Sequence, residues 1–397
     1  MLHWSNFVSP ELQYVLLLFL LFVLPCGLQR FRLPSAISCI GLGAVAGMGF
    51  GVFRQDAVIN LLSTFGVVSL FLFAGLDVEF KNIRRNAPFL VQHLVILAAL
   101  LALVSLVAKA ALGLAVQPAL LVALALTTPS TGFILDSLRS LKVSAHERSW
   151  IKSKAVATEL VALAVLFVAL QPMTGRQVLT STLILVLMIV FLPLVFRLFA
   201  AVILPHAPKS EFAFLLMVAI LCALVTRQLG AYYLVGAFVV GLTAQRFREQ
   251  MPAIASERMV HAVEVFASFF VPFYFFHAGV QLQREDFTFW ALLFGLGLVV
   301  VFVPLRVAVV AVHRRVALGE SFKSGARIGF SIVPTLVFTL VIAEILRERF
   351  GLSPVLFGGL VVYALVNTLV PGFVLRAFPS EIGPLKAPPL PKAIRSE

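Results

Sequence analysis

Thr127-Thr-Pro-Ser-Thr-Gly132 is a polar break inside a long apolar run, and Ser331-Ile-Val-Pro-Thr335 is a second such break in the other half of the chain. Proline removes a backbone hydrogen-bond donor and displaces the carbonyl group one turn earlier. In hydrocarbon, unwound backbone is tolerated only where it is buried in protein or lines a cavity. Taken singly, Pro129 and Pro334 are compatible with ordinary kinks. As a pair flanked by hydroxyl residues, they predict two interrupted helices around a shared polar region.

The composition around these breaks is that of a membrane protein. Of the 397 residues, 61% are hydrophobic and 12% are charged, whereas about 25% of the residues in a soluble domain are charged. The net charge of +13 comes from short basic clusters between apolar runs, a pattern that sets membrane topology and forms no nucleic-acid-binding face. We therefore predict an all-α polytopic membrane protein that lies in a lipid bilayer and has no nucleic acid partner.

The apolar runs predict about thirteen transmembrane helices. Each crossing of about 30 Å of hydrocarbon takes roughly 20 apolar residues. The candidate spans are residues 11–28, 33–52, 57–77, 88–112, 115–135, 152–171, 177–203, 211–227, 229–246, 261–281, 288–312, 323–346 and 353–375.

The basic residues predict the orientation of these spans. Most of them fall on one side of the membrane, as Arg314 and Arg315 do, and the positive-inside rule makes that side cytoplasmic. The N-terminus is then outside and the C-terminus inside. Residues 1–376 are predicted to form a single membrane domain, followed by a short proline-rich cytoplasmic tail, 377–397.

Similar motifs in both halves predict an internal repeat. Leu72-Phe-Ala-Gly-Leu-Asp-Val78 resembles Phe276-His-Ala-Gly-Val-Gln-Leu282, and Gly43-Ala-Val-Ala-Gly47 resembles Gly236-Ala-Phe-Val-Val-Gly241. The two prolines make a third match in the same order. We predict two six-helix repeats, 1–171 and 211–376, joined by a linker helix within 172–210. An odd number of crossings separates equivalent helices, so the repeats are inverted, and paired interrupted helices then mark a binding site near the midplane.

Two ionisable side chains lie deep in apolar runs. Glu159 is the only acid in the middle of Ala155–Leu170, where a carboxylate costs about 2.5–3.5 kcal/mol and is treated as functional by default. Arg306 lies deep in the eleventh span. The expected arrangement pairs the two between the interrupted helices. The alternatives are an acid that reaches the cytoplasmic headgroups and an arginine that binds carbonyl groups of a broken helix.

Hydroxyl side chains around the breaks are the other candidate ligands. Hydroxyl and freed carbonyl oxygens are hard ligands that suit a small cation which must shed water. The candidates are Thr127, Thr128, Ser130, Thr131, Ser331 and Thr335.

Enzyme chemistry is a poor fit. No glycine-rich phosphate loop follows a strand, no Cys/His metal-ligand spacing occurs, and Ser130 has no plausible triad partner. We therefore predict a protein that is not an enzyme and has no cofactor and no resident metal.

Three motifs resemble those of the bacterial monovalent cation:proton antiporters, in the branch that contains potassium-efflux and sodium/proton exchangers. They are Leu70-Phe-Leu-Phe-Ala-Gly-Leu-Asp77, Leu234-Val-Gly-Ala-Phe-Val-Val-Gly241 and Phe270-Val-Pro-Phe-Tyr-Phe-Phe-His-Ala-Gly-Val280. The resemblance extends from about Leu33 to Arg376, and the regulatory nucleotide-binding domain of the family has no counterpart here. It implies a bacterial inner-membrane homodimer in which a mobile core, made of spans four to six and eleven to thirteen, slides against a scaffold.

The resemblance also implies roles for individual residues. Glu159 takes the place of the family's essential aspartate, Thr158 that of an aspartate, asparagine or glutamine, and Arg306 that of a basic residue paired with the acid. Thr128 replaces the acid of a Thr-Asp-Pro motif, and Thr335-Leu-Val stands where many relatives have an Arg-Gly-Glu-like run. A single carboxylate goes with electroneutral exchange in this family.

The function implied is a secondary active antiporter that exchanges Na⁺ or K⁺ for H⁺. Glu159 carries the proton or the cation, and Thr158 with the hydroxyls near Pro129 completes the cation shell. Two alternatives remain open on the same fold. One is an organic-anion transporter that uses Arg306, and the other is a channel-like or non-transporting relative.

Overall fold

The computed structural model describes residues 9–31, 33–78, 80, 83, 87–131, 133–134, 145–171, 175–207, 210–229, 233–248 and 257–377. All regular secondary structure in these residues is helical. The predicted tail lies outside the described residues from position 378 onward, as do residues 135–144 and 249–256.

In the described residues of the first half of the chain, seven helices have both ends defined. They are α1 (Pro10–Leu28), α2 (Ser35–Ala44, continuing as a π-helix over Val45–Phe50), α3 (Ala57–Leu76), α4 (Ala87–Leu112), α5 (Val116–Thr127), α6 (Ala145–Leu170) and α7 (Gly175–Leu198, continuing as a π-helix over Phe199–Ile203).

The second half contains seven more. They are α8 (Glu211–Gln228), α9 (Tyr233–Arg248), α10 (Glu257–Val280), α11 (Phe289–Leu318), α12 (Phe322–Ser331), α13 (Leu336–Phe350) and α14 (Pro354–Ala377). Short 3₁₀ turns lie at Gln29–Phe31 and Arg284–Phe287.

The protein is a multi-pass membrane protein. Nine helices of the described ranges are long and apolar enough to cross a membrane, and the bent pair of α12 and α13 makes a tenth. Two shorter apolar helices, Ser35–Phe50 and Val116–Thr127, lie at further predicted spans. The exact number of thirteen crossings stays a prediction. Helix α6 begins at Ala145, seven residues before the predicted start at residue 152.

Glycines allow α2 and α3 to pack directly against the backbones of α10 and α9. A Cβ atom on Gly43 of α2 would lie 2.0 Å from the Phe276 carbonyl oxygen, and one on Gly279 of α10 would lie 2.1 Å from the Ile40 carbonyl oxygen. Gly75 of α3 and Gly241 of α9 have the same reciprocal relation, with their Cβ positions 3.0 Å from each other's Cα atoms. Such close approach is how small residues join helices in membranes.

The predicted repeat stays a prediction, and these contacts are compatible with it. In the predicted repeat, α2 is equivalent to α9 and α3 is equivalent to α10. A contact between α2 and α10 in one place therefore requires an equivalent contact between α9 and α3. The structure has both contacts, and each is made through glycines of the matching motifs.

We expect Gly43→Ala to lower the free energy of unfolding by about 2 kcal/mol, because the added methyl group forces α2 and α10 apart. Gly41→Ala is the matched control, since a Cβ there has nothing within 4 Å. Thermal unfolding in detergent measures the difference, and equal stabilities of the two variants would contradict the packing described.

Candidate functional site

The two breaks predicted around proline are present. Helix α5 ends at Thr127, and Thr128, Pro129 and Ser130 that follow are not helical. Helix α12 ends at Ser331, and α13 leaves the second break at an angle of 52°.

Ser130 joins the first break to the second. Its backbone N–H donates to the Pro334 carbonyl oxygen at 2.9 Å. Its hydroxyl oxygen accepts hydrogen bonds from the N–H groups of Val337 at 3.0 Å and Phe338 at 3.4 Å. These are donors of the first turn of α13, which have no carbonyl partner in their own helix. Ser130 therefore caps α13 from the opposite break.

The last carbonyl groups of α5 receive donors from α13 and α14. The Tyr363 hydroxyl donates to the Leu126 carbonyl oxygen at 2.7 Å, and the Thr339 hydroxyl donates to the Ala125 carbonyl oxygen at 2.7 Å. The C-terminal end of α5 is thus satisfied inside the protein, as backbone at membrane depth must be.

Arg306 satisfies the carbonyl groups at the second break. Its guanidinium donates to the carbonyl oxygens of Ile332 at 2.9 Å and Val333 at 2.6 Å, and it lies 3.4 Å from the Tyr363 hydroxyl. No ion pair joins it to Glu159 among the residues that the structure describes. The expected ion pair of Arg306 with Glu159 is therefore not formed in this structure. The guanidinium instead binds carbonyl groups of the broken helix, which is the alternative considered for Arg306.

Glu159 lies in the interior of the protein. Its side chain is 1% exposed, so it does not reach lipid headgroups, the alternative considered for the acid. The Thr131 hydroxyl and backbone N–H, just after the first break, face its carboxyl group. Neither the Thr131 hydroxyl nor Glu159 Oε2 makes a hydrogen bond to a described residue. A buried carboxylate oxygen and a buried hydroxyl are therefore both open to a ligand.

Most of the other predicted hydroxyls already have protein partners. Thr127 donates to the Ala123 carbonyl oxygen and Ser331 to that of Arg327, each within its own helix. Thr335 Oγ1 accepts from the Asn367 amide at 2.9 Å and lies 2.6 Å from the Thr339 hydroxyl. The single hydrogen of that hydroxyl is donated to the Ala125 carbonyl oxygen, so Thr335 is the donor between the two hydroxyls. Thr128 is buried beside the break. Their role as cation ligands stays a prediction.

Thr158 belongs to a buried polar cluster on the adjacent face of α6. Its hydroxyl donates to the Lys154 carbonyl oxygen at 2.9 Å and lies 3.1 Å from His93 Nε2 of α4. Lys154 Nζ lies 3.3 Å from His313 Nδ1 of α11. We name Lys154, Thr158, His93 and His313 the α6 polar cluster.

The sequence reasoning missed several of these residues. Four residues that were not predicted lie at the site. Tyr363 contacts Arg306, Asn367 contacts Thr335, Lys154 contacts Thr158, and His313 contacts Lys154. The available signal was a polar side chain inside an apolar run, which identified Glu159 but not Asn367 in α14 or Lys154 near the expected end of a span.

Comparison with known proteins agrees with this architecture. The family model described as "Sodium/hydrogen exchanger, transmembrane" matches residues 16–379. A relative from Methanocaldococcus jannaschii, described as a probable Na⁺/H⁺ antiporter 3, is 24% identical over 386 residues, which cover 91% of this chain and 95% of the relative.

Solved structures show the same fold. The sodium proton antiporter MjNhaP1 from Methanocaldococcus jannaschii at pH 8 superimposes with a TM-score of 0.66 at 15% identity, over 92% of this chain and 95% of that one. A second structure of the same antiporter, from electron microscopy, gives a TM-score of 0.65 with the same coverage. Because the family model covers most of the chain, from the first apolar run to the end of α14, the protein belongs to the transmembrane sodium/hydrogen exchanger family.

Proposed function

We propose that this protein is a secondary active antiporter that exchanges Na⁺ for H⁺, with Glu159 as the group that carries either ion in turn. Membership of the exchanger family makes the protein a transporter and not an enzyme. The observation that carries the choice of Glu159 is its buried carboxylate oxygen with no hydrogen-bond partner among the described residues, beside the equally open Thr131 hydroxyl.

The chemistry of exchange follows from competition for one carboxylate. A proton neutralises the Glu159 carboxylate by bonding to one of its oxygens. Na⁺ neutralises it as an ion coordinated by the carboxylate and by neighbouring oxygen ligands. Oxygen ligands at a helix break replace part of the ion's water shell. Since one carboxylate holds one proton or one monovalent cation, the exchange is one for one and electroneutral. We propose Na⁺ and not K⁺ as the substrate because the named relatives are described as sodium antiporters.

Further features of the proposal come from the predicted topology. The N-terminus is outside and the C-terminus is in the cytoplasm of a bacterial cell, and the protein works as a homodimer in the inner membrane. A core that contains α4 to α6 and α11 to α14 slides against the scaffold of α3, α9 and α10 to expose Glu159 alternately. The glycine-mediated contacts of α3 with α9 support a rigid scaffold.

The organic-anion alternative has no support from the site. It requires Arg306 to bind the carboxylate of a substrate, and this guanidinium is already hydrogen-bonded to two carbonyl oxygens of the second break. Release of those donors would leave buried carbonyl groups without partners, at a cost of about 1–3 kcal/mol each.

We expect Glu159→Gln to abolish exchange, because an amide holds neither a titratable proton nor a negative charge. Proteoliposomes that contain a pH dye measure proton movement on addition of Na⁺. Glu264→Gln is the matched control, since Glu264 of α10 is partly exposed and interacts with His261 away from the breaks. A Glu159→Gln protein that moves protons as fast as the parent would refute the assignment.

We expect Thr131→Val to raise the KM for Na⁺ about tenfold with little change in kcat, because a hydroxyl ligand to a charged group is lost while the shape is kept. Thr226→Val is the control, since its hydroxyl is equally buried but donates to the Ala223 carbonyl oxygen within α8. The same flux assay at varied Na⁺ separates KM from kcat. An unchanged KM in Thr131→Val would remove Thr131 from the site.

A further inference from the structure

Lys154 is a buried cation that the exchange mechanism does not use. Its side chain is 1% exposed, and its ammonium group hydrogen-bonds to His313 Nδ1 at 3.3 Å. Among the described residues it has no carboxylate within ion-pair distance. A buried charge without a counter-ion lowers stability, so its presence on the helix that carries Glu159 calls for a functional reason.

The neighbouring carboxylates are already paired with other cations. Glu320 accepts from Arg314 Nε at 2.9 Å, and Glu147 lies 3.3 Å from Arg327 Nε. A third pair at the start of α6 joins Asp77 to Lys152 at 2.6 Å. Among the described residues, Glu320 is an acid that acts on Lys154, and it is already paired with Arg314, so Lys154 has no carboxylate of its own there.

Neutral imidazoles hold Lys154 in place. His313 Nδ1 must accept from the ammonium group, so its Nε2 carries the hydrogen and faces Gln92 Oε1 at 3.4 Å. His93 lies over the same ring at 6.2 Å, and its Nε2–H donates to Thr158, since the Thr158 hydroxyl donates to the Lys154 carbonyl oxygen. Side chains of α4 and α11 thus hold Lys154 of α6 in place, and they contribute no negative charge to it.

We propose that Lys154 sets the affinity of the transport site: its positive charge weakens the binding of a cation to Glu159 and so speeds release of that cation. This inference rests on the proposed role of Glu159. The two residues are five apart on α6, which places them about 7.5 Å apart along the helix axis. Residues five apart also point about 140° away from each other around the helix, so we take the two charges to be roughly 10–15 Å apart. At an effective dielectric constant of about 20, charges at that distance change an ion's affinity by roughly tenfold.

The test compares Lys154→Met with Lys154→Arg and with Lys152→Met in proteoliposomes. We expect Lys154→Met to lower the KM for Na⁺ by about tenfold at least two pH units above the acid limb of the parent's pH profile, where protons compete little in either protein, with a lower kcat because release is slower. The acid limb itself moves to higher pH, since the carboxylate also holds its proton more tightly. Lys154→Arg keeps the charge and keeps the parent's KM.

Lys152→Met is the matched control. It removes the same charge two residues earlier, but Lys152 is 18% exposed and paired with Asp77, so its KM stays within about twofold of the parent. Damage to folding lowers kcat without lowering KM. Sodium-dependent thermal stabilisation in detergent gives a second measure of affinity, which needs no transport.

The possible outcomes separate the two proposals. An unchanged or raised KM in Lys154→Met, with an active parent and an inactive Glu159→Gln, overturns the role of Lys154 alone. An equal fall in KM in Lys152→Met also overturns it, because the effect is then not specific to the buried charge. Activity in Glu159→Gln overturns the proposed function itself.

Discussion

Two interrupted helices leave backbone N–H and C=O groups without intrahelical partners at a depth that water does not reach, and the organisation of the site follows from how those groups are satisfied. Ser130 caps α13, Tyr363 binds the end of α5, and Arg306 binds the end of α12. The three partners come from three different segments of the chain, namely the first break, α14 and α11. The backbone groups named here at the two breaks therefore have hydrogen-bond partners within the protein. The Thr131 hydroxyl and Glu159 Oε2, beside the first break, have no partner among the described residues.

The charge distribution around the breaks separates structural from exchangeable groups. Arg306 is held by carbonyl dipoles and fixes the geometry of α12. Glu159 makes no ion pair with a described residue, which supports the proposal that an external cation or a proton binds there. Lys154, about one and a half turns away, is held by an imidazole, and in our proposal its charge opposes the binding of a cation to the carboxylate. A site that must release its ion as readily as it binds it needs such opposition.

Much of this could be predicted from the sequence because the bilayer penalises polar groups strongly. Glu159, Pro129 and Pro334 stand out against apolar neighbours, and the structure places the breaks and the buried acid where these residues predict them. The partner of Arg306 could not be predicted, since a guanidinium at that depth is satisfied by a carboxylate or by carbonyl groups, and only the packing of α11 against the second break decides. The predicted start of α6 was also too late, because a hydropathy criterion excludes a polar helix turn that is buried by neighbouring helices, such as the one that contains Glu147.

The reciprocal glycine contacts have a consequence for how the sequence can change over time. Gly43 lies against the backbone of α10 while Gly279 lies against that of α2, so neither position can gain a side chain unless the two helices separate. A larger residue at one of them becomes tolerable only with a compensating rearrangement in the other half of the chain. Substitutions at these distant positions should therefore be correlated among descendants of this protein, and the evolution of the two halves is mechanically coupled.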